Sequence, residues 1–125
     1  MTSTTGSSPT YKRGDVVLCR VPMPSTGLTQ FKLRPAVIVS KDTNNYRLDD
    51  VMVAPCTLKV RRQQEPTQFL LEGAEIATSG VRVPSVVRSE ALLTIPKTLI
   101  VRRLGRLSKA ALKSVDGCLR DALSL

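Results

Sequence analysis

PAVIVS, residues 35–40, is an unbroken apolar and largely β-branched run, the pattern of a strand covered on both faces. Pro35 suits the first position of such a strand because it has no ladder donor to lose. The run is therefore expected at the centre of a sheet. Upstream, DVVLCRV at 15–21 is equally rich in β-branched and apolar residues and is stopped by Pro22 and Pro24, which reads as a second strand. The connection between them, PMPSTGLTQFKL at 22–33, is too irregular for a periodic element. It is also long for a link in a small domain, which points to a functional role.

Downstream, DTNNYRLDD (42–50) is turn-rich, VMVAPCT (51–57) reads as a strand ending near Pro55, and LKVRRQQEP (58–66) reads as a basic hinge before the strand TQFLLE (67–72). Gly73 and Gly80 punctuate a further loop. PSVVRSEALLTI (84–95) is the next strand, and IVRRLGRLS (100–108) a short return element. From Ser108 the period changes: Leu112, Val115, Leu119, Ala122 and Leu123 recur at steps of three and four. This predicts a C-terminal amphipathic helix over about 108–124, capped by Ser108 and weakened modestly by Gly117. Its apolar stripe needs a partner, either the sheet or a second subunit. Several short strands followed by one helix argue for a mainly β (α+β) fold, a closed or nearly closed antiparallel sheet with a helix packed on it. Residues 1–10, MTSTTGSSPT, are small, polar and uncharged, too poor in apolar surface to offset the entropy of ordering. They are expected to be a flexible tail on one domain spanning 11–125.

Nineteen Lys and Arg against ten Asp and Glu give a net charge of +9, which concentrates anionic partners around the protein. Nucleic acid leads, with an anionic membrane surface or an acidic protein as competitors. Before Lys41 the only carboxylate is Asp15, so the basic excess belongs to the folded part. Cys19, Cys56 and Cys118 are odd in number and form no CxxC pair, so they read as reduced core residues, with no disulfide framework or zinc knuckle. The chain has no histidine and no carboxylate spacing typical of a metal loop, so neither a catalytic metal nor another cofactor is expected. No segment reaches the length of a membrane span and the N-terminus lacks an apolar signal stretch, from which a cytoplasmic location and no membrane partner are expected.

RGDVVLCRVPMP (13–24), LRPAVIVS (33–40), VMVAPCT (51–57) and SGVRVPSVVRSEALLTIPKTLIVRRLGRLS (79–108) resemble, in order and spacing, the successive blocks of the MazF/PemK/Kid toxins. The resemblance covers roughly residues 11–125. It implies an SH3-like β-barrel with a C-terminal helix, a homodimer, and a type II toxin that cuts single-stranded RNA and is restrained by a cognate acidic antitoxin. Carried over by position, the Arg before the proline of RPAVIVS is Arg34, and the Thr closing the Pro-x-Thr strand is Thr57. The arginine and acid two residues apart that serve catalysis in Kid-like members fall on Arg88 and Glu90. The acid is Glu where those members have Asp, and the histidine that some relatives carry after the first strand is missing here.

Cutting RNA without a metal uses the substrate's own 2′-hydroxyl, so the protein must accept a proton, stabilise charge on the phosphorane and assist the leaving 5′-oxygen. Arg88 and Glu90, two apart on an expected strand, should project from one face. Glu90, kept ionised by nearby guanidinium groups, is either the general base or the group that orients Arg88 or Arg34. Arg34 and Arg88 suit a phosphate clamp, since arginine keeps its proton and its fork matches two phosphate oxygens. The Thr57 hydroxyl suits the same phosphate or the ribose. Apart from the resemblance, an Arg-x-Glu pair reads as a surface ion pair, Thr57 as a turn residue, and Arg34 as a solvated cation. Two Tyr and two Phe do not make a stacking platform, so base reading is assigned to the 22–33 loop, to Ser25, Thr26, Gln30, Phe31 and Lys32. Arg102, Arg103 and Arg106 suit either backbone contact or an antitoxin-facing or solvated role. Two alternatives remain: a CcdB-like gyrase-binding toxin without nuclease activity, and a catalytically silent RNA-binding module.

Overall fold

The computed structural model describes residues 10–60 and 65–125. Its elements run β1 (Asp15–Pro22), β2 (Phe31–Ile38), α1 (Asp42–Arg47), β3 (Asp50–Thr57), β4 (Gln68–Leu71), α2 (Ala74–Ser79), β5 (Ser85–Arg88), β6 (Leu93–Pro96), β7 (Ile100–Arg106) and α3 (Lys109–Leu123). Every strand pairing is antiparallel. The order across the sheet is β4-β5-β3-β2-β1-β7, with β6 also paired to β3. β3 takes part in three ladders: Val53, Ala54 and Pro55 pair β2, its first half pairs β6 and its last two residues pair β5. The pairing does not close into a full circuit, and the fold is barrel-like, mainly β with a C-terminal helix.

β2 lies inside this order, as its apolar run predicts, and both faces of its last part, from Ala36, are covered. Val37 joins one buried cluster with Val16, Ala54, Cys56, Val87, Ala111 and Val115. Its neighbours Ala36 and Ile38 join a second with Val17, Cys19, Val51, Val53 and Ile95. The period-two alternation of β1, β2 and β3 thus feeds two cores, one capped by α3 and the other by β6 and the Leu99–Ile100 segment. Most of the helix stripe finds its partner within the chain: Ala111, Val115 and Cys118 are buried, with Leu112 and Leu119 half-buried against the first cluster, while Leu123 stays exposed. Ser108 caps α3, its side chain accepting from Ala111 N–H at 3.1 Å.

Several local expectations are corrected. β2 begins at Phe31 and not at Pro35; β3 joins only from Ala36 onward, so Pro35 sits where its missing donor costs no bond to that neighbour. β3 passes through Pro55 and ends at Thr57. The turn-rich 42–50 segment holds the short helix α1, because Asn45 turns inward and is satisfied: its Nδ2 donates to Ser40 O at 2.9 Å and its Oδ1 accepts from Ser40 Oγ. The stretch between Gly73 and Gly80 is helix α2. Gly80, at φ +80°, ends α2 where the chain crosses β7 so closely that a Cβ would stand 2.2 Å from Leu104 O. The 84–95 run is two strands, β5 and β6, separated by a 3-10 turn at Ser89–Ala91. The expected tail at 1–10, beyond Thr10, and residues 61–64 of the basic hinge lie outside the described residues. No helix among the described residues is long and apolar enough to cross a membrane.

Candidate active site

The ends of β3 and β5 meet the middle of β2. Arg34 lies on β2, opposite Cys19 of β1 and two residues before β3 joins. Thr57 is the last residue of β3 and Arg88 the last of β5. Arg34, Thr57 and Arg88 line a single cleft of about 430 Å³, together with Val21, Met23, Ser25, Cys56, Ala91 and Leu93. Two adjoining depressions of about 230 Å³ each share these groups. One runs from Arg34 and Thr57 to Lys32 and Lys59, and the other is bounded by Thr57, Lys59, Gln68 and Arg88. Thr57 borders all three, so one half-buried hydroxyl stands at the junction of a groove flanked by four cations.

Glu90 does not line the main cleft and reaches it through Arg88. Because the strand ends at Arg88, the expected same-face geometry does not arise. Instead the Ser89–Ala91 turn folds the carboxylate back, and Arg88 Nε donates to Glu90 Oε2 at 3.0 Å. Gln68 Nε2 donates to the same oxygen at 2.8 Å, and Thr67 Oγ1 donates to Oε1 at 3.1 Å. Partial burial pushes the Glu90 carboxyl up, but hydrogen bonds from Gln68, its own backbone, Arg88 and Thr67 outweigh it and hold the group below its ordinary value. A carboxylate so engaged is a poor proton acceptor and a good anchor for a guanidinium.

The thiol nearest this chemistry is inert. Cys56 lines the cleft yet is buried, and burial, with Cys19 beside it, pushes its pKa up to about 12, so it stays protonated at neutral pH. All three cysteines are free and buried, as the core reading of the sequence expects. Among the described residues no group of three His, Cys, Asp or Glu side chains is arranged to hold a metal ion.

The 22–33 segment contributes unevenly. Ser25 lines the cleft and Lys32 the side depression. Thr26 is occupied in holding the turn: its hydroxyl donates to Met23 O at 2.8 Å and accepts from Gln30 N–H at 3.2 Å. Gln30 and Phe31 are exposed and outside the lining of all three depressions. Of the C-terminal arginines, Arg106 Nε is bonded at 3.1 Å to the fully buried Asp15, with Arg103 at 3.8 Å. Arg106 thereby ties β7 to β1, while both arginines remain half-exposed. Sequence reasoning missed Thr67, Gln68 and Lys59. Gln68 stands opposite Arg88 in the β4–β5 register, a pairing that spacing along the chain does not reveal.

The family profile described as PemK-like, MazF-like toxin of type II toxin-antitoxin system matches residues 12–123. The chain belongs to that family. Among its relatives is the Endoribonuclease MazF of Staphylococcus saprophyticus, 30% identical over 114 residues that cover 91% of this chain and 92% of that protein. Among solved structures, the Mycobacterium tuberculosis toxin MazF-mt6 superposes with a TM-score of 0.71 at 24% identity, covering 89% of this chain and 97% of that one. A mycobacterial endoribonuclease in complex with its cognate antitoxin gives 0.71 at 22% identity, covering 90% and 94%. These two likenesses establish the barrel with its C-terminal helix as the MazF fold.

Proposed function

We propose that this MazF-like toxin is a sequence-specific endoribonuclease that cuts single-stranded RNA without a metal ion. The observation that carries the reading is the convergence of Arg34, Thr57 and Arg88 on one cleft, with Glu90 bonded to Arg88. In the proposed reaction the 2′-hydroxyl gives its proton to solvent water and its oxygen bonds to phosphorus as the bond from phosphorus to the 5′-oxygen breaks; the leaving oxygen takes a proton from water, giving a 2′,3′-cyclic phosphate and a 5′-hydroxyl. Arg34 and Arg88 clamp the nonbridging oxygens, where negative charge grows, and Thr57 donates its hydroxyl to the same phosphate. Glu90 acts through Arg88. Ser25 and Lys32, at the cleft and its side depression, are the best placed of the loop residues to read or hold neighbouring nucleotides, with Thr26, Gln30 and Phe31 shaping the loop or meeting bases further out.

The +9 charge fits both an RNA substrate and an acidic antitoxin laid across the same groove, and the antitoxin-bound mycobacterial relative supports that pairing. The working form is proposed to be a cytoplasmic homodimer. Incubation of the purified protein with single-stranded RNA in EDTA tests the reading: cleavage to cyclic-phosphate ends, lost in folded Arg34→Ala and Arg88→Ala variants, is expected. Intact RNA with inhibited DNA supercoiling would transfer the protein to the gyrase-binding class, and RNA bound but uncut would make it a silent binder.

A further inference from the structure

Arg88 has a conformational problem that its neighbours solve. Its side chain is half-exposed and ends a strand, so an untethered guanidinium would sample many rotamers and meet the phosphate in few of them. The bond from Nε to Glu90 fixes one edge of the fork and leaves the terminal nitrogens free. That arrangement is only as good as the placement of Glu90, the exposed residue of a short 3-10 turn.

Two devices hold that turn. The β4–β5 ladder continues past its last strand residue, with Ser89 N–H donating to Thr67 O at 3.0 Å, and α3 packs on the turn from behind. The carboxylate itself is gripped by β4. The Gln68 amide is bonded at both ends: its Oε1 accepts from Glu65 N–H at 3.2 Å and its Nε2 donates to Glu90 Oε2 at 2.8 Å. One end demands an acceptor and the other a donor, so the orientation of the amide is defined. Gln68 also borders the depression that Thr57 and Arg88 share, at the margin of the proposed substrate site.

We propose that Gln68 is a positioning residue for RNA cleavage: its amide holds the Glu90 carboxylate against Arg88 Nε and so aims the remaining guanidinium nitrogens at the scissile phosphate. The inference rests on the nuclease reading of the cleft. Thr67 is the second, weaker support, holding the other carboxylate oxygen at 3.1 Å. The arrangement also predicts a pH signature. Gln68 is one of the groups that lower the Glu90 pKa, so its loss must raise it, and Arg88 must lose its anchor at a higher pH than in the natural protein.

Two variants of the full chain separate positioning from folding. Gln68→Met keeps the bulk and removes both amide contacts; Gln68→Glu keeps the acceptor for Glu65 N–H and replaces the donor with a like charge. In each, the Glu90 carboxyl is titrated by carbon NMR, and kcat and KM are measured on a short single-stranded RNA across pH. The expected result is an upward move of the Glu90 titration in both variants, larger in Gln68→Glu. The acid limb of kcat should move the same way, with a loss of kcat of about tenfold in Gln68→Met and little change in KM. An active natural protein with an unmoved Glu90 titration, or with kcat within twofold and an unmoved acid limb in Gln68→Met, overturns the positioning role alone. RNA left intact by the natural protein overturns the nuclease reading and the positioning role together.

Discussion

Thr57→Val is the sharpest probe of the cleft because it removes one hydroxyl and almost no volume. Among the described residues Thr57 Oγ1 accepts one bond, from Lys59 N–H at 3.2 Å, and its own proton meets no acceptor there, which leaves it available to a ligand in the groove. The backbone N–H released by the substitution lies in an exposed segment where water replaces the lost acceptor, so the stability cost should stay below about 1 kcal/mol. The catalytic cost should be larger. A preorganised donor to developing oxyanion charge contributes about 2.7–4 kcal/mol in a water-excluded site. This groove is open and Thr57 only half-buried, so roughly 1.5–3 kcal/mol is the better expectation, about a tenfold to hundredfold fall in kcat/KM. Thr57→Ser, which keeps the hydroxyl, should recover most of it. Urea unfolding beside single-turnover cleavage of a short RNA gives both quantities on the same samples. Cleavage by Thr57→Val within twofold of the natural protein, or a Thr57→Ser variant as slow as the valine one, would refute a donor role for this side chain.

Other perturbations test the frame that holds the cleft. Asp15 is fully buried and accepts from Lys12 N–H at 2.8 Å and Arg106 Nε at 3.1 Å. Asp15→Ala should cost about 2–4 kcal/mol in urea unfolding, the arginine share being discounted for its solvent exposure, while Asp15→Asn, which keeps an acceptor, should cost about half as much. Gly80→Ala should be severely destabilising, by more than about 3 kcal/mol, because its Cβ would collide with the Leu104 carbonyl and φ is positive; a Tm within a few degrees of the natural protein would contradict the α2–β7 crossing. Gly117→Ala lies in open space on α3 and should stabilise by about 0.5–1 kcal/mol, read as a rise in Tm with cleavage unchanged.

What the sequence revealed depended on whether a signal was periodic and local. β-branched runs and the three-and-four spacing after Ser108 marked β1, the core of β2 and α3, because burial imposes those periods directly. α1 was invisible because a polar run becomes a helix there only through the Ser40–Asn45 bonds, which need a folded neighbour. The 84–95 run looked continuous because the 3-10 turn at Ser89–Ala91 holds no Gly or Pro to mark a break. Arg34, Thr57 and Arg88 were legible through family resemblance and not through pattern. Their neighbour Gln68 was not, since its relation to Glu90 lies in the cross-strand register of β4 and β5.

The placement of side chains divides the work according to stiffness. Thr57, short and β-branched, follows the buried Pro55 and Cys56 on β3, so its hydroxyl inherits the order of the core. Arg88 is more exposed, and gains its order from hydrogen bonds and not from packing. The choice of nucleophile follows from the same inventory. The Cys56 thiol is held protonated at neutral pH, and a chain without histidine offers the Ser25 and Thr57 hydroxyls no imidazole to activate them. The proposed reaction meets this lack with an attacking oxygen that arrives with the substrate. A cleft that supplies cations and the Ser25 and Thr57 hydroxyls, with no activated nucleophile among the described residues, fits the proposed substrate, a polymer that carries a 2′-hydroxyl next to each phosphate, which is the chemical difference between RNA and DNA.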